Sequence, residues 1–332
     1  MSRKILEHTT IPEDDTVLHD SLTDLAEQAP LCASAATVRG VLTESHDLLR
    51  NALNHSADVL EVTRWYTTLV TDALHSPGAV SLTRGAEIVI TGPYSRGSGT
   101  PTAKLHWLTV LPSDVENTTG DPSTELAALV SESGILLGHL PGPMGPADRS
   151  TWSARIDSAV GTGDGAALGL LADAGDWFTR AVIERCRDFT PLLAEAVEHR
   201  PPAVRSREGL PRKDVAIDVQ GQLLTPLGQI ARWAGVAAGC TQTGVPERIG
   251  AARAAGVLLP SEADYLLEAW EAGLELTLTR WLERVQDEPT TLDMLPQLQR
   301  STFGAACRML ADVTRSTAER HGVDTGEYGR DA

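Results

Sequence analysis

The stretch Glu87–Leu111, EIVITGPYSRGSGTPTAKLHWLTVL, decides how the fold of this chain is interpreted. Apolar, partly β-branched runs at Glu87–Ile90 and Leu105–Leu111 predict two neighbouring strands. The segment between them is rich in glycine and hydroxyl side chains, and it carries Arg96 in its middle. Glycine lets a backbone approach a phosphate, and hydroxyl and guanidinium groups donate hydrogen bonds to it. The pattern therefore fits a phosphate cradle, although a glycine-rich hairpin turn without a ligand is the commoner occurrence.

Length and charge bound the classes of protein to consider. A chain of 332 residues is too long for one small core and favours two or three domains. It carries 45 acidic and 28 basic residues, a formal charge of −17, whereas nucleic-acid affinity needs concentrated Lys and Arg. A local basic stretch at 200–213 contains prolines and a glycine, which is more typical of an interdomain linker than of a nucleic-acid-binding arm. No nucleic-acid partner is expected.

The compartment follows from what the sequence lacks. No run of about 18 uninterrupted apolar residues occurs, and the beginning, MSRKILEHTTIPEDD, has no apolar signal core. A cytoplasmic protein without a membrane partner is expected. The four cysteines, at positions 32, 186, 240 and 307, form no C-x-x-C pair, so reduced and mostly buried thiols are expected instead of a zinc site.

Hydrophobic periodicity predicts helices on both sides of the central stretch. Before it come helical segments ended by Pro30 and Pro77, and Ser34 is a candidate N-cap for the second of them. After it, Gly134–Gly138 fits a strand, and a helix of about 20 residues is expected to run through Leu170 to His199. No residue of the N-terminal helices suggests chemistry.

The C-terminal part is predicted to form about four helices. It begins with a short extended pair, VAIDV and QLL, at 215–224. Thr225-Pro226 is a candidate N-cap and first turn for the next helix. Ser261 and Asp264 fit a capping box that starts a long helix through Val285, and a last long helix ends near Arg320. Short loops between such helices favour a bundle.

The central stretch resembles the signature of polymerase-β-type nucleotidyltransferases, in the bacterial signalling branch related to the PII uridylyltransferases. Members of that branch have approximately G-S-x-G-R-x-E-x-T-x-x-T-D-x-D across strand, turn and strand. Gly92, Arg96 and Thr100 fall on its Gly, Arg and Thr, and Ser95 replaces its second Gly. The resemblance implies nucleotide-binding candidates at Gly92, Ser95, Arg96, Gly97, Thr100 and Lys104.

The catalytic positions of that pattern are changed. Lys104 and His106 stand where the family has two metal-binding aspartates, and Pro93 stands where a serine holds a nucleotide phosphate. Further along, the family's third carboxylate lies in a D-x-R triplet; Arg180 matches its Arg, but Phe178 occupies the Asp position. Mg²⁺ prefers oxygen ligands, which ammonium and imidazole groups do not replace.

The resemblance extends over most of residues 25–320. Gly142, Met144 and Trp152 match a glycine-rich turn and the start of a helix in the same branch. The last part resembles the branch's substrate-binding helical domain, with matches at Thr225-Pro226, Arg232, Thr243, Glu247-Arg248, Leu266, Arg280, Leu298 and Arg300. Within it, Arg232, Arg248 and Arg280 are candidates to face an acidic ligand or partner. The alternative is that they are solvated or paired with carboxylates such as Glu247 or Glu283.

Together these patterns predict an α+β fold that is mainly helical. We expect N-terminal helices at 1–80, a nucleotidyltransferase-like mixed sheet with helices at 81–200 and a linker at 201–213. A four-helix-type bundle at 214–322 and a tail at 323–332 complete the expected division.

Three functions are compatible with the sequence. The first is a catalytically inactive nucleotidyltransferase-like sensor or interaction module, with no cofactor or metal, whose partners are a nucleotide and a regulatory protein. The second is an active enzyme that transfers a nucleotide from a triphosphate to a protein or small molecule with Mg²⁺. It requires relocated carboxylates, for which Glu87, Asp114, Glu116 and Asp176 are the candidates. A structural helper of another protein is a third possibility, and the oligomeric state is left open.

Overall fold

The computed structural model describes residues 19–113, 120–201, 206–207, 210–211, 216–284 and 291–325. Within these ranges the chain is mostly helical with a small mixed sheet, which confirms the predicted mainly helical α+β class. The first helices are α1 (Asp20–Gln28), α2 (Ala35–Asn54), α3 (Val59–His75) and the single turn α4 (Pro77–Val80). A 3₁₀ turn at Ala29–Leu31 joins α1 to α2.

The N-terminal helices form a packed unit beneath the sheet. Ser34 caps α2 as predicted, since its hydroxyl accepts from the backbone N–H of Thr37. The indole of Trp65 on α3 donates to the carbonyl of Leu22 on α1 over 2.8 Å. Helices α1 and α3 end just before Pro30 and Pro77, as predicted, because proline has no backbone N–H to donate to the preceding turn.

The predicted strand pair is confirmed. Strands β1 (Glu87–Thr91) and β2 (His106–Leu111) are antiparallel, with Glu87 opposite Val110 and Thr91 opposite His106. A short strand β3 (Ala147–Asp148) pairs in parallel with the end of β2. β1 is therefore an edge strand of the sheet, and the glycine-rich loop leaves from its end.

The predicted strand at Gly134–Gly138 is wrong. Helix α5 (Thr124–Glu132) is followed by Gly134 in the left-handed region, with φ of +85°, and only a single bridge joins Leu137 to Leu105. The extended segment is too short to form a ladder before a 3₁₀ turn begins at Gly142.

The long helix predicted through Leu170 to His199 is also wrong, because it is divided into three. After α6 (Arg149–Thr162) come α7 (Gly165–Ala172), α8 (Gly175–Arg185) and α9 (Thr190–Glu198). Gly175 has φ of +75°, which a helix interior does not allow, and Pro191 begins a new helix at α9. The breaks place Asp173 in the short connection between α7 and α8.

The C-terminal helices are α10 (Thr225–Ala237), α11 (Val245–Ala254), α12 (Pro260–Leu282) and α13 (Gln297–Arg320). The predicted extended QLL segment is wrong, since Gln220–Leu224 is a π-helical turn that runs directly into α10. Leu223 and Leu224 are buried against Gly273 of α12, which favours continuous helix over an edge strand. Thr225 accordingly does not cap a helix start, because Leu224 before it is already helical.

The capping box predicted at Ser261 and Asp264 is displaced. Helix α12 begins at Pro260, and the carboxylate of Glu262 accepts from the backbone N–H of Leu259 over 2.9 Å. Asp264 instead pairs with Arg253 on α11 over 2.7 Å. Val285, expected within this helix, lies outside the described residues.

Two small features complete the region: a strand pair, β4 (Ser206–Arg207) with β5 (Leu210–Pro211), and a 3₁₀ turn at Leu292–Met294.

Two hydrophobic cores share the sheet. Ile88 and Ile90 of β1 pack with the N-terminal helices, and Trp281 of α12 joins the same core. Leu108 and Val110 of β2 belong to a larger core that runs through α6–α13. The sheet thus links the N-terminal and C-terminal helices. Within the described residues, no helix combines the length and the apolar character that crossing a membrane requires.

Candidate functional site

The loop between β1 and β2 is a closed turn. Gly92 and Gly97 have φ of +73° and +81°, conformations that a side chain disfavours. The backbone N–H of Arg96 donates to the carbonyl of Gly92 over 3.1 Å, and that of Ser98 donates to the carbonyl of Pro93 over 2.9 Å. These two amides of the predicted cradle therefore already have acceptors inside the loop.

The hydroxyl groups of the loop are also engaged internally. Ser95 donates to the backbone carbonyl of Asp173, and Ser98 donates to the carbonyl of Pro93 over 3.2 Å. The buried Thr100 hydroxyl lies 3.3 Å from that of Thr102. Each hydroxyl that was expected to meet a phosphate thus has a protein partner.

Arg96 points away from solvent and into the helical part of the protein. Its side chain is 6% exposed, and its Nη1 lies 2.5 Å from Oδ2 of Asp173. Two bonds fix the loop to the segment before α11: the Thr243 hydroxyl donates to the Ser95 carbonyl over 2.7 Å, and the Val245 N–H donates to the Arg96 carbonyl over 3.1 Å.

Asp173 is the centre of a buried ionic cluster. Arg248 of α11 donates from Nη1 to Asp173 Oδ1 over 2.5 Å, and Nε of Arg232 on α10 lies 3.3 Å from Asp173 Oδ2. Arg232 also pairs with Glu195 of α9 over 3.1 Å. The cluster, which we call the Asp173 cluster, consists of Arg96, Asp173, Glu195, Arg232 and Arg248. It brings together five separate parts of the chain: the loop after β1, the connection between α7 and α8, and helices α9, α10 and α11.

The electrostatics of the cluster keep the Asp173 carboxylate ionised. Burial alone would raise its pKa, but Arg232, Arg96 and Arg248 together outweigh burial and lower the pKa to about 2. Burial lowers the pKa of both Arg96 and Arg248, and the Asp173 charge opposes that shift. The ion pairs are therefore charged at neutral pH.

A glycine makes room for each arginine of the cluster. A Cβ on Gly228 would stand 2.6 Å from Arg96 Nε, and one on Gly235 would stand 2.6 Å from Arg248 Cβ. Gly169 of α7 faces the guanidinium of Arg232 in the same way. All three glycines lie inside helices, where glycine is otherwise unfavourable.

Two of the three positions that were expected to replace metal-binding carboxylates lie around β2. Lys104 is exposed just before the strand, and His106 is half-buried with its ring over Gly138. Burial first, and then the charges of Arg96 and Lys104, lower the pKa of His106. His106 Nδ1 is buried without a hydrogen-bond partner among the described residues.

The third position is part of the core. The Phe178 ring packs edge-on against Trp152 and Trp177, with centroids 5.6 and 4.7 Å away. Phe178 also borders an open cleft of about 760 Å³. The cleft lies between α3, the edge of β1, the start of α8 and the segment 241–247, and it includes Arg64, Arg149 and Trp270.

The remaining sequence candidates are dispersed. Arg280 of α12 is buried away from the Asp173 cluster, where burial lowers its pKa and Glu283 opposes the shift. Of the relocated carboxylates, Glu87 pairs with Arg149 over 2.8 Å and Asp176 pairs with Arg180 over 3.0 Å. Asp114 and Glu116 lie outside the described residues.

Within the described part of the chain, no three His, Cys, Asp or Glu side chains are grouped to hold a metal ion.

Sequence reasoning missed Asp173 and Glu195. A signal for Asp173 was present, because it is an acidic residue within the apolar run LGLLADAGDWF, and a buried carboxylate requires a cation. The identity of that cation was not readable, since Arg96 and Arg248 lie 77 and 75 positions away. Of the three predicted substrate-domain arginines, the structure brings Arg232 and Arg248 together and leaves Arg280 apart.

Residues 187–321 match the family described as "Putative nucleotidyltransferase substrate binding domain". The match covers α9 to α13, so this helical region is similar to a nucleotidyltransferase-related domain. It begins before the predicted linker and includes Glu195, Arg232 and Arg248 of the Asp173 cluster. A comparison of the chain with curated proteins found no match.

Proposed function

We propose that this chain is a cytoplasmic nucleotidyltransferase-like protein, related to the PII uridylyltransferases, with a silent catalytic centre. It acts as a signalling sensor or interaction module. The observation that carries the proposal is the position of Arg96, the loop's phosphate-binding candidate, whose guanidinium is buried against Asp173. A guanidinium held in this way is not free to bind a nucleotide phosphate.

The residues at the catalytic positions support the same conclusion. Nucleotidyl transfer uses two divalent cations held about 3.5–4 Å apart by carboxylates. Lys104 would place a positive charge where a cation has to bind, and Phe178 is part of an aromatic core cluster. The nearby candidates Glu87 and Asp176 each pair with an arginine, which opposes their recruitment as metal ligands.

The open cleft is the place where a sensor of this kind binds its ligand. Its volume of about 760 Å³ suits a nucleotide-sized molecule, and it contains aromatic, hydroxyl and cationic side chains. It borders both the loop and the segment 241–247 of the helical domain, so a ligand there contacts both. A regulatory protein partner then responds to the liganded state.

Label transfer from radiolabelled ATP and UTP tests this proposal. The wild-type protein, with Mg²⁺ or Mn²⁺, is expected to transfer no label to itself or to a PII-like protein. The double variant Lys104→Asp/His106→Asp is expected to recover metal binding weakly at best, because Phe178 still replaces the third carboxylate. Addition of Phe178→Asp and Pro93→Ser should improve it, although loss of a large core aromatic costs about 3–5 kcal/mol. Melting curves are recorded first for every variant.

Three outcomes separate the functions. Transfer by the wild type that disappears in Asp176→Ala would establish the active enzyme with relocated carboxylates. A nucleotide-dependent rise in Tm without transfer supports the sensor. Neither transfer nor a Tm shift leaves the interaction module, with a protein partner as its ligand.

A further inference from the structure

The Asp173 cluster has the composition of an anion-binding site. Three guanidinium groups converge on one carboxylate, and their side chains are 6%, 6% and 0% exposed for Arg96, Arg232 and Arg248. Guanidinium groups bind carboxylates and phosphates through several N–H donors in a fixed plane. Such a convergence in a buried place is unusual unless an anion is present to compensate for the charges.

The charges of the cluster do not cancel. Its three cations face two carboxylates, Asp173 and Glu195, so one positive charge is in excess among these five residues. Glu195 contacts only Arg232 of the three arginines, and the Gln229 side chain also donates to it. Asp173 is therefore the one carboxylate of the cluster that touches all three arginines.

Two of the three arginines, Arg232 and Arg248, have hydrogen bonds or ion pairs that do not involve Asp173. Arg248 donates from Nη2 to the carbonyl of Ala172 over 2.6 Å and from Nε to that of Gln242 over 3.0 Å. Arg232 keeps Glu195. Gly228 and Gly235 accept the side chains of Arg96 and Arg248. The guanidinium groups of Arg232 and Arg248 would therefore keep their positions if the Asp173 carboxylate were absent.

We propose that Arg96, Arg232 and Arg248 form a site for a small carboxylate, which the protein fills with its own Asp173. Asp173 acts as an internal ligand that closes the loop onto the helical domain and keeps Arg96 from external anions. The inference stands on the cluster alone and does not require the proposed function. A site whose ligand is covalently attached accepts a free ligand of the same chemistry once that ligand is removed.

Chemical rescue of Asp173→Ala tests this inference. The variant keeps Cβ and loses one carboxylate group, which formate matches in size and charge. Its Tm is expected to fall well below that of the wild type and to rise saturably with sodium formate. The rise should amount to a few degrees at about tenfold excess over the dissociation constant. Acetate should rescue less, and propionate least, because the cavity is as large as one carboxylate.

The controls separate a specific site from a salt effect. Sodium chloride at equal ionic strength is expected to give no saturable rise. Asp176→Ala, three positions away, removes a carboxylate that is 64% exposed and paired with Arg180, so formate should not affect its Tm beyond chloride. The wild type, whose site is full, should respond like Asp176→Ala.

A second variant covers the case in which Asp173→Ala does not fold in buffer. Asp173→Ala/Arg248→Met removes one of the buried charges left without their partner, so it should fold in chloride and respond less to formate. If Asp173→Ala does not fold in buffer, its folding is followed by circular dichroism in sodium formate and in sodium chloride. Folding in formate but not in chloride supports the proposal that Asp173 is an internal ligand. Equal behaviour in the two salts, or a wild-type Tm for Asp173→Ala, overturns it.

Discussion

At the scale of single residues, the charged side chains with the greatest consequences are those withdrawn from solvent. Asp173 is 1% exposed and touches three arginines, whereas pairs such as Asp176 with Arg180 lie in water. Exposed pairs contribute about 0–1 kcal/mol, while a buried pair that loses one partner costs about 3–5 kcal/mol. Asp173 therefore stabilises the folded protein only while its arginine partners are present.

Acid is expected to destabilise the protein through Asp173. Its pKa is about 2 in the folded protein and about 3.9 in an unfolded chain, so the unfolded state binds the proton first as pH falls. The resulting stability is present in full above about pH 4 and is lost as pH falls towards 2. The expected contribution is about 2 kcal/mol. Urea unfolding between pH 2 and 7 measures it.

The comparison for that titration is Asp173→Asn, in which this part of the pH dependence should be missing while the protein is less stable throughout. An unchanged slope in Asp173→Asn would contradict the assignment of the acid transition to this carboxylate.

His106 is expected to be neutral at pH 7. Burial, Arg96, Lys104 and His139 all lower its pKa below the ordinary value of about 6.5. Because the pKa of His106 is lowered in the folded state, the unfolded state binds the proton first as pH falls. The free energy of unfolding therefore decreases as pH falls below about 6.5 and stops decreasing below the folded-state pKa. NMR titration of the imidazole should give a midpoint below about 6.5, and Lys104→Ala should move the midpoint upwards by removing one positive charge. A midpoint above that of a free histidine would refute this environment.

At the scale of elements, α10 is a helix shaped around two arginines. Gly228 and Gly235 are seven positions apart and so lie on one helical face, where Arg96 and Arg248 pack. The sequence predicted this helix, and it identified Arg232 on it as a candidate. It could not assign the glycines, because their role depends on side chains from a loop and from α11. Periodicity reports which face is buried and not what covers it.

The glycine contacts give a prediction with a matched control. Gly235→Ala should destabilise the protein by about 1–3 kcal/mol, since its Cβ would stand within 2.6 Å of Arg248 Cβ. Gly250→Ala on α11 meets nothing within 4 Å and should stabilise the helix by up to about 1 kcal/mol. Thermal and urea unfolding of both variants measure the difference. Equal effects would show that Arg248 adjusts without cost.

A glycine also explains why the long helix predicted to reach His199 is wrong. The long helix expected to His199 is broken at Gly175, and the break is what places Asp173 at the cluster. The apolar pattern alone continued through that position. The strand pair around Arg96 was predicted correctly because its signals are local, whereas the pairing of Arg96 with Asp173 depends on contact across 77 positions.

At the scale of the whole molecule, two hydrophobic cores extend across the boundaries of the predicted division into domains. The division at 80, 200 and 213 stays a prediction, but one hydrophobic core includes Leu108 of β2, Phe178 of α8 and Ile230 of α10. A second core joins Ile88 of β1 to Trp281 of α12. The Asp173 cluster adds buried charge pairs across the same boundary.

Shared cores predict that the described parts of the chain unfold together. Separate domains with small polar interfaces would melt in separate steps, whereas a core that crosses the boundary couples them. Differential scanning calorimetry is expected to give one transition whose calorimetric and van't Hoff enthalpies agree. Ile230→Ala, in the middle of α10, should cost about 2–5 kcal/mol and lower that single transition without dividing it.

The decisive comparison uses probes on both sides of the predicted boundary. The first probe is the fluorescence of Trp65 in the N-terminal core, measured in a variant whose other tryptophans are replaced by phenylalanine wherever the protein still folds. The second probe is the far-ultraviolet circular dichroism of the helices. The two signals should be lost at the same temperature. In Ile230→Ala both midpoints should fall by the same amount, although Trp65 lies in the other core. If only the dichroism midpoint falls, the two cores unfold independently and the sheet does not couple them. An equal fall of the two midpoints would mean that the two cores unfold as one unit. A ligand that binds in the cleft between the cores would then raise the unfolding temperature of both.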